Sequence, residues 1–301
     1  MTIKRKYKGA IITAQTVAPN SQIASGLWSH PDVFQAMSTK VWPGLQYLIN
    51  FLVVGGGGGG GYGGGGGGGV VIGTTLVNVG NQVTITVGNG GLGVANSPNG
   101  YNGGSSIVYT PTINIVGLGG GGGGAVNTNG LNGGSGGGGG GNNSGVTSGG
   151  SALQTSRSQT TFNGTFTNYG NNGTGNQGSG NYIPSGGGGG AGSSPSVSDA
   201  PGGSGLASMF TGSSVTYAAG GAGTDAFSST SGSNGAANTG NGGGGSSGHA
   251  GTQAGNGGSG IVIISYQSTT QRATGGVVTS YTIGPLLYWT HTFIISGTFT
   301  A

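Results

Sequence analysis

Glycine stands in this chain in unbroken runs fenced by short β-branched stretches. Phe51, Leu52, Val53 and Val54 lead into glycine at 55–61, Tyr62 interrupts, glycine resumes over 63–69, and Val70, Val71 and Ile72 follow. A core is normally built from apolar side chains, and these runs have none. Any ordered structure in them must be held by backbone N–H and C=O groups bonding to one another. Glycine is then the building material rather than a linker.

The competing reading is disorder. With 81 glycines and 9 prolines in 301 residues and no collagen period, the composition matches a flexible low-complexity chain. Charged residues make up only 3%, however, apolar residues make up 32%, and the apolar stretches abut the glycine runs directly. Disordered chains carry the opposite balance. Glycine also loses more backbone entropy on folding than other residues, so oligomerisation is expected as compensation.

There is no cysteine, which excludes disulfides and thiolate metal sites. No apolar run approaches the roughly 18 residues of a membrane helix, and the basic N-terminus has no following apolar region, so neither membrane insertion nor an export signal is expected. Net charge is +4, and Lys4, Arg5, Lys6 and Lys8 crowd into the first residues. The positive charge thus describes an N-terminal arm more than a surface.

Residues 1–45 have ordinary composition. Trp28, Phe34, Met37 and Trp42 surround an expected short helix that starts near Pro31 and ends by Pro43. Its apolar face packs either on the protein's own body or on a partner. From 46 to 266 the chain repeats one theme of short strand, glycine run, polar loop and return. Strands are expected at 46–54, 70–72, 76–79, 83–87, 107–109, 113–116, 215–217 and 261–266, with glycine runs at 119–124, 136–141, 186–190 and 242–245 between them. In polyproline-II geometry, with three residues per turn and about 3.1 Å rise, every N–H and C=O points sideways, and a pure glycine helix can bond on all three faces. Residues 55–69 would then span roughly 45 Å as one rod, with Tyr62 at an outer face of the slab.

Catalytic chemistry finds little support. The carboxylates are Asp32, Asp199 and Asp225, with no glutamate, whereas glycoside hydrolysis needs two carboxylates a few ångströms apart. His30, His249 and His291 lie far apart in different contexts, which gives neither metal-ligand nor triad spacing. The many Gly-x-Gly-x-x-Gly windows open no expected helix, so nucleotide binding is not supported. No enzyme activity, metal or cofactor is expected. The polar stretch 142–185 is more distinctive, because it sets Arg157, Phe162, Phe166, Tyr169 and Tyr182 among Asn, Ser, Thr and Gln. Exposed aromatic rings stack on sugar C–H faces while amides read hydroxyls. Tyr101 with Asn102, and Phe227, mark two further loops of this type. The same rings are equally able to pack as a small core beneath their loop.

Four ordered motifs carry a family resemblance: FLVVG at 51–55 followed by glycine, VTITVGNGG at 83–91, FTGSSVTY at 210–217 and GGSGIVIISY at 257–266. Together they resemble the glycine-rich domain of tailed-phage tail fibres and adhesins. ASGLWS at 24–29 through VWP at 41–43 is similar to a segment of phage structural proteins, notably of cyanobacterial and marine phages. The resemblance implies an all-β fold with packed polyglycine-II helices, organised as an attachment segment (1–45), a glycine-rich domain (46–267) and a C-terminal β segment (268–301). It implies a non-enzymatic virion protein of a tail or baseplate fibre, homotrimeric because fibres commonly share a threefold axis. Lys4, Arg5, Lys6, Lys8, Trp28, Phe34 and Trp42 would face other virion proteins, and the loops would contact a host surface glycan or outer-membrane protein. Nucleic acid is not an expected partner. A purely structural fibre or cement protein is the alternative. HTFIISGTFTA at 291–301 resembles strands that normally precede the LVVG segment, yet here it closes the chain. It is expected to pair beside 46–54 or on the sheet edge of a neighbouring copy.

Overall fold

The computed structural model describes Pro31 and residues 46–95, 97–141, 146–154, 157–161, 164–176, 184–196, 201–224, 229–247 and 251–301, the side chains of 157–161 excepted. The chain divides into two compact units, Met1–Tyr47 with Val77–Gly80, and Leu48–Leu76 with Asn81–Ala301. Apart from Pro31, the expected N-terminal helix lies outside the described residues.

The described chain is all-β. Its strands are β1 (Gln46–Val54), β2 (Val70–Asn78), β3 (Gln82–Thr86), β4 (Ser106–Thr110), β5 (Ile113–Gly117), β6 (Arg157–Thr161), β7 (Gly164–Tyr169), β8 (Leu206–Ser208), β9 (Val215–Tyr217), β10 (Ile261–Gln267), β11 (Val277–Ile283), β12 (Leu286–Phe293) and β13 (Gly297–Thr300). A seven-stranded sheet runs β11-β12-β10-β1-β2-β7-β6, a four-stranded sheet runs β13-β3-β4-β5, and β8 and β9 form a hairpin. The central strands β1 and β10 are antiparallel, with Phe51 opposite Ile264 and Val54 opposite Ile261. β10 and the 51–54 half of β1 read as near-continuous apolar runs because both of their faces are covered there. Leu52, Val54, Val70, Ile261 and Ile263 pack with Tyr217 and Ala218 in one core, against which Leu206, Phe210 and Val215 also lean. By contrast β3 alternates, burying Val83 and Ile85 and exposing the residues between, as its sequence pattern predicts.

Beyond Val54 the side chains stop and the backbone takes over. The N–H groups of 55–61 donate in a strict rotation of three. Gly55, Gly58 and Gly61 bond to the carbonyls of Gly69, Gly66 and Gly63, Gly56 and Gly59 to Gly104 and Tyr101, and Gly57 and Gly60 to Gly258 and Gly255, all at 2.8 to 3.0 Å. Their carbonyls accept from three other segments, as in Gly120 to Gly56, Gly91 to Gly57 and Gly243 to Gly58. The acceptor numbers fall as the donor numbers rise, so the segments receiving these N–H groups run antiparallel. Those donating to the same rod run parallel, since Gly123 bonds to Gly59 and Val94 to Gly60. This rod is thereby held on all sides by peptide groups. A Cβ on Gly58 would stand 2.1 Å from the Gly121 carbonyl oxygen, so the close approach requires glycine.

Several expectations are corrected. Residues 55–69 do not form one extended span. The chain reverses at Tyr62, Gly61 donates to Gly63, and the two halves bond to each other as antiparallel neighbours. Tyr62 is consequently buried at the turn, 8% exposed, rather than standing on an outer face. Strands expected at 70–72 and 76–79 are one strand, because Gly73 sits opposite Phe166 and leaves room for that side chain, keeping β2 continuous. The stretch 142–185 is not a single polar loop. It includes the β6–β7 hairpin, which extends the large sheet through β2, and the lattice segments around Gly150 and Gly173. At the C-terminus, β12 pairs with β10 rather than directly with β1, placing His291 opposite Ile264. β13 pairs with β3 in the second sheet, placing Phe299 opposite Val83.

Candidate functional site

The rods have two distinct ends. One joins the sheets through Val54, Val70 and Ile261, and the other lies at Tyr62. Around Tyr62 the backbone bonds converge. Its N–H donates to Gly124, Thr224 donates to its carbonyl, Ser246 to Gly61 and Val94 to Gly60. Ser185 donates to Thr224, and the Ser185 hydroxyl accepts from Gly141. At these residues the chain leaves the lattice, so the bases of its connecting loops gather at one end. Rods fixed by backbone bonds give those loops rigid bases, which is the usual arrangement for binding loops.

Within this end, 97–102 and 125–131 enclose an open cleft of about 650 Å³. Tyr101 lines it and is 54% exposed, and Pro98, Leu131 and Thr128 are also in the lining. The bracing comes from two asparagines spaced by three. Asn99 Oδ1 accepts from the Ala125 N–H and Asn102 Oδ1 from the Gly122 N–H, both at 2.8 Å. Their amides donate to the carbonyls of Asn129 and Asn132, at 3.1 and 3.2 Å. Where a rod lacks a backbone neighbour, an asparagine side chain fills the bonding position at the lattice edge. The Thr128 hydroxyl lies within bonding distance of Asn99 Oδ1 and the Ala125 carbonyl. Tyr101 is held by its backbone, donating to Leu92 and accepting from Gly59. The result is a fixed, uncharged platform with one exposed ring, suited to stacking and apolar contact.

The residues singled out in the sequence separate in space. Tyr101 and Asn102 meet at the cleft, where Asn102 braces the lattice with its whole amide. Phe166 and Tyr169 lie on β7 near the sheets, Phe166 opposite Gly73 and Tyr169 packed against the core. Arg157 lies on β6 opposite Asn168. Phe162, Tyr182 and Phe227 lie outside the described residues, as do Lys4, Arg5, Lys6, Lys8, Trp28, Phe34 and Trp42. Sequence reasoning missed Asn99, Thr128 and Leu131. The signal available for them was the matched spacing of Asn99 with Asn102 and of Asn129 with Asn132. Among the described residues no cluster of His, Cys, Asp or Glu is placed to hold a metal ion. Burial raises the pKa of the Tyr62 phenol above its ordinary value.

The model of a family described as a glycine-rich domain matches residues 36–267. No curated protein and no solved structure matches the chain.

Proposed function

Because the chain belongs to the glycine-rich domain family, we propose that it is a non-enzymatic virion fibre or adhesin protein of a tailed phage, presenting loops to a host cell-surface receptor. The observation that carries this reading is the gathering of loop bases at the Tyr62 end of a rigid lattice, with Tyr101 exposed beside them. Stiff rods that hold recognition loops away from a sheet base suit a surface adhesin. We read the glycine segments as packed polyglycine-II helices, supported by the threefold rotation of donors in 55–61. On this reading the protein is a homotrimer in the virion, attached to other virion proteins through residues 1–45. Its receptor is a surface glycan or outer-membrane protein, with the Tyr101 cleft as one contact.

The test is binding of the purified protein to host cells, together with blocking of infection by the parent particle. The control is Tyr101→Ala rather than removal of 142–185, which would take lattice segments and two strands with it. Blocking that weakens with Tyr101→Ala supports the adhesin. A folded protein that neither binds nor blocks defeats it and points to a structural fibre that contacts other virion proteins.

A further inference from the structure

We propose that, among the described residues, Asn89 is the site at which the folded lattice undergoes spontaneous deamidation, and that the modification loosens the rod supporting Tyr101. Asparagine followed by glycine is the sequence most open to this reaction, since no side chain hinders attack. The Gly90 backbone nitrogen loses its proton and attacks the Asn89 side-chain carbonyl carbon, expelling ammonia and closing a succinimide ring. Water then opens the ring, leaving aspartate or isoaspartate. The reaction needs a free backbone N–H and a side-chain amide free to turn toward it.

The lattice removes both conditions at most of its Asn-Gly pairs. In Asn99–Gly100, Asn102–Gly103, Asn132–Gly133, Asn172–Gly173, Asn241–Gly242 and Asn256–Gly257, the glycine N–H donates to a backbone carbonyl. In the same pairs the asparagine Oδ1 accepts a backbone N–H from a neighbouring segment. Asn89 is different. It is exposed on the lattice edge, and among the described residues neither its side chain nor the Gly90 N–H has a hydrogen-bond partner.

Its place in the lattice gives the modification a consequence. The Asn89 carbonyl accepts from Gly104, while downstream Gly91 donates to Gly57 and Val94 to Gly60, and Leu92 accepts from Tyr101. Isoaspartate inserts one extra carbon into the backbone. The threefold register beyond residue 89 is then out of step with its neighbours, and the bond from Tyr101 to Leu92 is among those displaced.

The experiment incubates the full chain, folded, in mildly alkaline buffer and maps deamidation by peptide mass spectrometry. A denatured sample serves as the reference for each pair's intrinsic rate. The expected result is conversion at Asn89 on the order of tenfold or more ahead of Asn102, Asn132, Asn241 and Asn256, because those pairs react only after local opening. Isoaspartate should appear in the same peptide, and amide exchange at Gly91 and Tyr101 should speed up in the aged protein. The Asn89→Gln protein, folded by circular dichroism, should keep slow exchange at Tyr101 through the same incubation. Equal rates at Asn89 and Asn102, or an Asn89 that stays intact while the denatured chain is converted, would overturn the proposal.

Discussion

The Tyr266 hydroxyl lies 3.3 Å from His291 Nε2, and the direction of that bond is fixed by what surrounds it. Tyr266 Oη already accepts the N–H groups of Arg272 and Ala273, at 2.9 and 3.0 Å, so its own proton is directed to the imidazole. His291 Nδ1 donates to the Gly275 carbonyl at 2.7 Å, and Gly275 reaches that position with φ +106, a conformation suited to glycine. His291 is therefore buried, neutral and protonated on Nδ1, between the Tyr266 ring and the edge of Phe299.

Burial lowers the His291 pKa below its ordinary 6.5, with the Gly275 bond partly opposing. Above 6.5 the group is neutral in both folded and unfolded chains, and its contribution to stability is complete. As pH falls from there through the lower folded value, the unfolded chain binds the proton first and stability declines. One group gives a slope of at most about 1.4 kcal/mol per pH unit. Denaturant melts across this range should show the decline, and His291→Gln should flatten it.

Interior glycines and turn glycines should respond differently to a methyl group. Gly58→Ala brings Cβ within 2.1 Å of a neighbouring carbonyl oxygen, so rods must separate, and a loss of more than about 3 kcal/mol is expected. Gly284→Ala has open space around it and only a positive φ of 58 to maintain, for a loss of about 1 kcal/mol. Thermal or chemical unfolding of the two variants measures the difference.

Asparagines that fill empty lattice positions should matter for stability, while those that do not should be replaceable. Asn102→Ala leaves the buried Gly122 N–H without its partner and frees the Asn132 carbonyl, at a cost of about 1 kcal/mol or more. Asn89→Ala removes no hydrogen bond and should leave unfolding unchanged. Equal effects of the two substitutions would show that edge bonds do not support the lattice.

Backbone amide exchange tests the lattice itself. Gly58, Gly60 and Gly65 donate to carbonyls in neighbouring segments and should exchange slowly, whereas Gly90 should exchange at nearly the unfolded rate. Uniformly fast exchange across 55–69 would contradict a lattice held by these bonds.

Much of this architecture is legible in the amino-acid sequence. β1 lies at 46–54 and β9 at 215–217 as expected, and β3, β4, β5 and β10 fall within a residue or two. Their β-branched runs and alternation are local signals. The β6–β7 hairpin is not legible, since its Ser, Thr, Asn and Gln residues resemble a loop. It becomes a strand pair because β2 offers an open edge, where Val70 meets Tyr169. The cleft is half legible. Tyr101 stands out as an aromatic among small polar residues, but its partners 125–131 come from a different part of the chain.

The sequence by itself determined that glycine would be structural, that the central strands would be β-branched apolar runs, and that a chain without cysteine has no thiolate chemistry. Only the tertiary structure decided which rod bonds to which, that 55–69 turns back at Tyr62, and which asparagines brace the edge. The physical reason is that glycine runs are identical to one another as text. A run lacking side chains carries no code for its partner, so rod pairing follows from where the flanking strands and loops set each run down.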